Sequence, residues 1–345
     1  MHNIDEMPAR LAAFLAGEEP DWRDIRVTSY EVMTGGYSRL LAKAHVRHAD
    51  GERVFVLRGD PPADQQLIHT DRAQEWDVLS AMHANGVRVS APRYFDPTGE
   101  RLGTRALVLD FCEAASLLPY LASTGDDEHH EAAGRLAEAA AAFHRVPLDH
   151  LPASLPRPAS WDAYIGARIH EWKATSLAHV ESLPILRFVA AWLDAHRPPP
   201  VPLSLIHGDF QSANLMRDAD GTLVILDWEL AQIGDPREDL GYFKAVAQAA
   251  PPDLTGLDAE AFCARYRELT GFTEEQLNPP VLAYFLILGV VGTVRQLLEG
   301  GAAFARGDNK LLGSLFSMSS VQFGQMMWLQ ATRQLDQAPV AAPEA

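Results

Sequence analysis

Lysine is nearly missing from this chain. Of 345 residues only Lys43, Lys173, Lys244 and Lys310 are lysine, so almost all of the 29 basic residues are arginine. Positive charge as a whole is short: 29 Lys plus Arg stand against 46 Asp plus Glu, a formal net charge of −17. A nucleic-acid binder normally carries a basic footprint, so no nucleic-acid partner is expected. Cysteine is scarce too. Cys112 and Cys263 are too few for a disulfide framework, and no CxxC or Cys/His cluster points to zinc. Long apolar runs are absent: the longest, Val281 to Val294, meets Arg295 well short of the ~20 residues of a membrane span. Residues Met1 to Glu6 lack the basic start and apolar stretch of a signal peptide. No membrane partner and a cytoplasmic location are expected.

The remaining composition is that of a folded protein. Apolar residues make up 47% and charged residues 22%, which excludes disorder of the whole chain. The length suits one large or two ordinary domains.

Hydrophobic spacing divides the chain. Ile4 to Gly17 has helical spacing, then Ile25 to Val32, Leu40 to Val46 and Arg53 to Arg58 read as short strands separated by Gly-containing turns. Asp71 to Asn85 returns to helical spacing, and strand-like runs follow at Arg93 to Asp96 and Thr104 to Phe111. Beyond Glu113 the pattern is mainly helical: Glu131 to Phe143, Trp161 to Ala178, Ile185 to Ala195, Ala259 to Thr270, Val281 to Leu298 and Leu311 to Leu335. One strand-like island, Leu203 to Trp228, interrupts it, and Pro-rich stretches at 147–158 and 197–202 read as connections. Three parts are expected: residues 1–112, a small sheet with a helix; 113–336, a helical part; and 337–345, a disordered tail.

The island carries chemistry. It reads His207-Gly208-Asp209-Phe210-Gln211-Ser212-Ala213-Asn214, then a turn at Asp218 to Gly221, then Asp227-Trp228-Glu229. The turn makes the flanking strands antiparallel and brings Asn214 near Asp227 at the strand ends. Such hard oxygen donors suit Mg²⁺, which takes only one or two protein ligands beside substrate phosphates. A carboxylate facing that site can accept the proton of an attacking hydroxyl.

These residues resemble the aminoglycoside phosphotransferase and choline kinase family, whose members share the protein-kinase-like fold. His207, Asp209 and Asn214 match its H-x-D-x-x-x-x-N catalytic loop, and Asp227 stands at the D-F-G position with Trp228-Glu229 in place of Phe-Gly. The longer run from Leu226 through Gly234-Asp235-Pro236 to Asp239-Leu240 is similar to the subfamily whose kinase-like domain is fused, in some proteins, to an acyl-CoA dehydrogenase. The resemblance implies an α+β, two-lobed fold, with a small β-sheet lobe holding ATP and a larger helical lobe. It implies Asp209 as catalytic base, with Asn214 and Asp227 holding Mg²⁺. Asp235 also reads simply as a helix N-cap ahead of Pro236. Asp239 reads as a brace for the catalytic loop.

On the nucleotide side, Thr34-Gly35-Gly36-Tyr37-Ser38 stands where a glycine-rich loop covers the phosphates. Gly35 and Gly36 allow close backbone approach, and Ser38 can bond a phosphate; taken alone, Gly-Gly is more often a plain hairpin turn. The cation that pairs the phosphates should end the third strand, where Arg58 stands in place of lysine. Arginine keeps the charge and grips oxygens bidentately. By resemblance Glu75 is its partner, although a solvated helix carboxylate is the plain alternative. Asp110 and Cys112, in the run Leu107 to Glu113, would offer backbone groups to the adenine edge, with Cys112 a wall residue.

The acceptor is expected to be a small hydroxylated molecule, aminoglycoside-like or a hydroxy acid or hydroxyacyl compound. For an acyl substrate Arg168, Lys173 and Arg295 are the available cations, each with a solvated-face reading beside it. The chemistry expected is ATP- and Mg²⁺-dependent phosphoryl transfer. A non-catalytic nucleotide-binding module is the alternative that the Arg58 replacement supports. Neither the acceptor nor the oligomeric state is written in the sequence.

Overall fold

Strand and helix boundaries follow local chemistry closely. In the computed structural model, residues 6–33, 40–60, 71–179, 185–249 and 259–290 are described, with 294, 295, 298, 307 and 328; for 126 and 244–249 the backbone alone is described. The Gly35, Gly36 and Ser38 turn, the expected helix 311–335 apart from Trp328, and the tail 337–345 lie outside these residues. The chain divides into two compact units. The first joins Met1–Ser116 with Val146–Leu155 and Asn214–Ala231; the second joins Leu117–Arg145, Pro156–Ala213 and Gln232–Ala345.

In the first unit, α1 (Met7–Glu18) precedes an antiparallel sheet. Its strands are β1 (Arg26–Val32), β2 (Leu40–His48), β3 (Gly51–Gly59), β4 (Pro92–Asp96) and β5 (Ala106–Asp110), in the order β1-β2-β3-β5-β4. Strand side chains alternate between faces. Phe55 and Leu57 of β3 pack with Ala44 and Val46 of β2 against Leu11, Phe14 and Leu15 of α1. Arg58 therefore points to the opposite face, with Leu41 and Leu107 as its register partners. Helix α2 (Arg72–Ala84) follows β3. The Asp71 carboxylate caps it by accepting from Ala73 N at 2.9 Å, and Asn85 ends it, with Gly86 beyond at φ +76°.

The island contributes a hairpin to the same unit. Strands β8 (Leu215–Arg217) and β9 (Leu223–Ile225) pair antiparallel, and β8 also pairs with β6 (Ala115–Ser116). Ile225 N donates to Arg88 O at 2.9 Å, which ties the hairpin to the loop after α2.

The second unit is mainly helical. It holds α3 (Leu117–Ser123), α4 (Asp126–His144), α5 (Trp161–Ala178), α6 (Ile185–Ala195), α7 (Arg237–Ala249), α8 (Ala259–Thr270) and α9 (Pro279–Gly289). A short ladder of β7 (Ser204–Ile206) with β10 (Gln232–Gly234) stands among them. Tyr164, Trp172, Trp192, Tyr284 and Phe285 fill its core. Helix α7 has a glycine where α9 crosses it: a Cβ on Gly241 would collide with the backbone of Phe285 and Leu286.

Spacing placed α5, α6 and α8 at their observed limits. It missed β6, α3 and β10, left α7 marked only by its Asp235 cap, and began α4 five residues late and α9 two residues late. Beyond Gly289 the described residues Val294, Arg295 and Leu298 are helical, as expected. No described helix is long and apolar enough to cross a membrane.

Candidate active site

The first unit brings two of the expected residues, Glu75 and Asp227, to Arg58. Arg58 Nε lies 2.7 Å from Glu75 Oε1, and its Nη2 donates to Asp227 Oδ1 and, at 3.3 Å, to Glu229 Oε2. The Arg58 side chain is 10% exposed and that of Glu75 2%, so Glu75 is not a solvated helix charge. Burial alone would lower the pKa of Arg58. The fields of Glu75 and Asp227 and the hydrogen bond to Asp227 outweigh it and hold the guanidinium above its ordinary value.

A second arginine, which the sequence reading missed, lies behind the first. Arg72, fully buried, donates from Nε to Asp60 Oδ1 at 2.9 Å and from Nη1 to Glu75 Oε2 and, at 3.5 Å, to Glu229 Oε2. Glu229 was also missed as a site residue. The signals were present: Arg72 lies one helical turn before Glu75, and Glu229 completes the Asp-Trp-Glu triplet. Trp228 anchors that triplet, buried with its Nε1 donating to Ile225 O at 3.2 Å.

Asp227 is the most open member of the cluster, its side chain 21% exposed. It adopts φ +66°, a left-handed conformation that costs a non-glycine residue ~1 kcal/mol or more and is concentrated at functional sites. The hairpin brings Asn214 alongside: Leu226 N donates to Asn214 O at 2.9 Å. That bond puts the Asn214 backbone next to the segment that carries Asp227. Arg58 and Arg72 face the carboxylates of Asp60, Glu75, Asp227 and Glu229, and Arg105 joins only Asp60, at the rim. Negative charge stays in excess, which fits a cation at Asp227. Among the described residues no group of three or more His, Cys, Asp or Glu side chains is placed to hold a metal.

Lys43 does not replace Arg58: its Nζ lies over the Phe111 ring, 3.8 Å from the centroid. The Asp110 N–H is spent on Ala91 O at 2.9 Å, and its carboxylate is held by Arg93. The backbone of Cys112, just past β5, makes no backbone–backbone hydrogen bond among the described residues. Burial raises the Cys112 thiol pKa, as befits a wall residue rather than a nucleophile.

Asp209 lies in the second unit, on a loop built by Asp239. The Asp239 carboxylate accepts from His207 N at 2.6 Å and Gly208 N at 2.9 Å, the two amides just before Asp209. Gly208 turns between them at φ +81°, where a side chain would be strained. His144 Nε2 is 3.1 Å from Asp239 Oδ2, and its Nδ1 is 2.8 Å from Tyr266 OH. A carboxylate only accepts, so His144 donates from Nε2 to Asp239, and its Nδ1 and Tyr266 OH share the second hydrogen bond. Gln211 Nε2 donates to Asp209 Oδ1 at 2.7 Å, fixing the carboxylate's orientation.

Asp235 caps α7 by accepting from Arg237 N at 3.0 Å, and also holds the Arg237 guanidinium and Trp161 Nε1. Two of the three cations considered for an acyl substrate are otherwise engaged. Arg168 grips Glu238, whose pKa burial raises despite that contact, and Lys173 pairs with Asp194 at 2.7 Å.

Residues 36–279 match the model of the phosphotransferase enzyme family. Acyl-CoA dehydrogenase family member 10 of Mus musculus is 26% identical over 204 residues, covering 57% of this chain and only 18% of that relative's length. Among solved structures, a putative aminoglycoside phosphotransferase from Ralstonia eutropha superposes with a TM-score of 0.72 at 19% identity, covering 94% of this chain and 98% of its own. A thermostable aminoglycoside phosphotransferase APH(4)-Ia, in ternary complex with AMP-PNP and hygromycin B, gives 0.63 at 17%, covering 95% and 99%. At such identities the structural likeness shows the fold: the expected α+β, protein-kinase-like architecture.

Proposed function

The chain belongs to the phosphotransferase enzyme family, and from that premise we propose that it transfers the γ-phosphoryl group of ATP to a hydroxyl of a small molecule. The observation that carries this is the buried cluster of Arg58 with Glu75 and Asp227, a fixed cation at the end of β3 beside an open carboxylate. A cation so placed has no evident structural purpose that an apolar side chain would not serve at lower desolvation cost. A cation–glutamate pair at the end of the third strand orients phosphates in protein kinases, and Arg58 with Glu75 supports the same use here.

Arg58 would bind and orient phosphate oxygens, held by Glu75 from the helix side. Asp227 and Asn214 would hold Mg²⁺, which when bound neutralises charge on the β- and γ-phosphates. The loop of Gly35, Gly36 and Ser38 would cover the phosphates. The carbonyl of Asp110, whose N–H is spent on Ala91, and the backbone of Cys112 would meet the adenine edge. Asp209, oriented by Gln211, would accept the proton of the attacking hydroxyl at a carboxylate oxygen. The family resemblance and the AMP-PNP and hygromycin B complex of APH(4)-Ia support ATP with a small hydroxylated acceptor. The likeness to proteins named acyl-CoA dehydrogenase family members makes an acyl compound bearing a hydroxyl, a hydroxy acid or hydroxyacyl ester, the second acceptor class to try. The test is ADP release by the full chain with Mg-ATP across aminoglycosides, macrolides, choline-like alcohols, hydroxy acids and their CoA esters. Acceptor-dependent release is expected; none with any acceptor would leave a nucleotide-binding module.

A further inference from the structure

An arginine at the end of β3 poses a problem that a lysine does not. A lysine ammonium is a single point that turns freely, whereas a guanidinium is a plane whose five N–H groups point in fixed directions. To present one edge to a phosphate, the plane has to be locked.

The carboxylates around Arg58 do this. Glu75 lies 2.7 Å from Nε as an ion pair rather than a hydrogen bond, while Asp227 and Glu229 both accept from Nη2, so the directional hold on the plane is at Nη2. Every contact lies on the Nε–Nη2 side; Nη1 meets no acceptor among the described residues. Glu229 is itself 3% exposed and is held from behind by Arg72, which is buried and also grips Glu75 and Asp60. Gln74 Nε2, on the same helix, donates to Ala231 O at 3.2 Å and ties α2 to the segment that carries Glu229. Burying Arg72 leaves its Nη2 without a hydrogen bond, a cost that a merely packed position would not require.

We propose that Glu229, backed by Arg72, is the positioning residue that makes arginine workable at position 58, locking the guanidinium so that Nη1 faces the nucleotide phosphates. This deepens the phosphotransferase reading and rests on it. It follows that Glu229 helps an arginine and harms a lysine. A single ammonium among three carboxylates would be drawn toward Glu229 and away from phosphate. The sign of Glu229's effect should therefore reverse with the residue at 58.

The test is binding of AMP-PNP with Mg²⁺ to the full chain by calorimetry, each variant held well below its own unfolding temperature. E229Q should weaken binding about tenfold, the scale of one charge-assisted hydrogen bond. R58K should weaken it at least as much, and adding E229Q to R58K should restore threefold or more. Unchanged binding by E229Q, or a double variant weaker than R58K, overturns the proposal. Should E229Q alone fail to fold, Glu229→Asp serves in its place: the shortened carboxylate should weaken binding with arginine at 58, and wild-type affinity would count against the lock. If the wild type binds no nucleotide, the phosphotransferase reading falls and the proposal with it; wild-type binding with an indifferent E229Q sinks the proposal alone.

Discussion

Asp239 offers a prediction whose size can be worked out from its contacts. Its side chain is 1% exposed and meets three donors: His207 N and His144 Nε2 at Oδ2, and Gly208 N at Oδ1. Asp239→Asn keeps the shape and one acceptor oxygen. With that oxygen at the Oδ2 position, the new NH₂ faces only Gly208 N–H, so one charge-assisted bond is lost, costing about 1.5–3 kcal/mol. Asp239→Ala removes all three acceptors and strands three buried donors, costing about 3–5 kcal/mol. At ~2–4 °C per kcal/mol for a chain of this class, the unfolding temperature should drop by roughly 3–12 °C for the amide and 6–20 °C for alanine. Differential scanning calorimetry and urea unfolding of both variants measure it. A loss under about 1 kcal/mol in D239A, or a larger loss in D239N than in D239A, would refute the bracing of the catalytic loop by this carboxylate.

Three further outcomes follow from the same geometry. Asp227→Asn should leave the fold intact but remove most of the Mg²⁺-dependence of nucleotide binding, read by titrating Mg²⁺ at fixed AMP-PNP; an unaltered Mg²⁺ titration would remove Asp227 as a ligand. Gly241→Ala should destabilise by about 2–3 kcal/mol because its methyl meets α9 backbone rather than a movable side chain, and an unfolding temperature equal to wild type would contradict that packing. Cys112, whose thiol pKa burial raises, should alkylate slowly at pH 8. Its rate should climb only above the ordinary thiol range, because the folded protein binds that proton more tightly than the unfolded chain does; half-maximal alkylation at an ordinary thiol pKa would count against its burial.

Much of this was legible in the sequence because it depends on local chemistry. Asp71 and Asn85 bracket α2, Ser160 caps α5 at its predicted start, and the Asp218 to Gly221 turn sets the register that brings Asn214 beside Leu226. What was not legible depends on burial of charge. The cap at Asp235 and the brace at Asp239 were legible, but Arg237 and Glu238 between them read as a polar run with no helical stripe. Both are buried and satisfied by distant partners. Arg72 escaped for the same reason: a charged residue at a helix start reads as solvated until Glu229, 157 residues away, is seen to meet it. Arg168 shows the opposite error, a candidate substrate cation that the fold spends on Glu238.

The most direct measurement uses ATP labelled in its γ-phosphoryl group, incubated with Mg²⁺, the acceptor panel and either wild-type chain or Asp209→Ala. Labelled product should form with at least one hydroxylated acceptor. The alanine variant should bind AMP-PNP as the wild type does and lose about 10²–10⁴-fold in rate, the usual worth of a placed base. Equal label transfer by both proteins would contradict the role of Asp209, and nucleotide binding with no transfer to any acceptor would contradict the phosphotransferase itself.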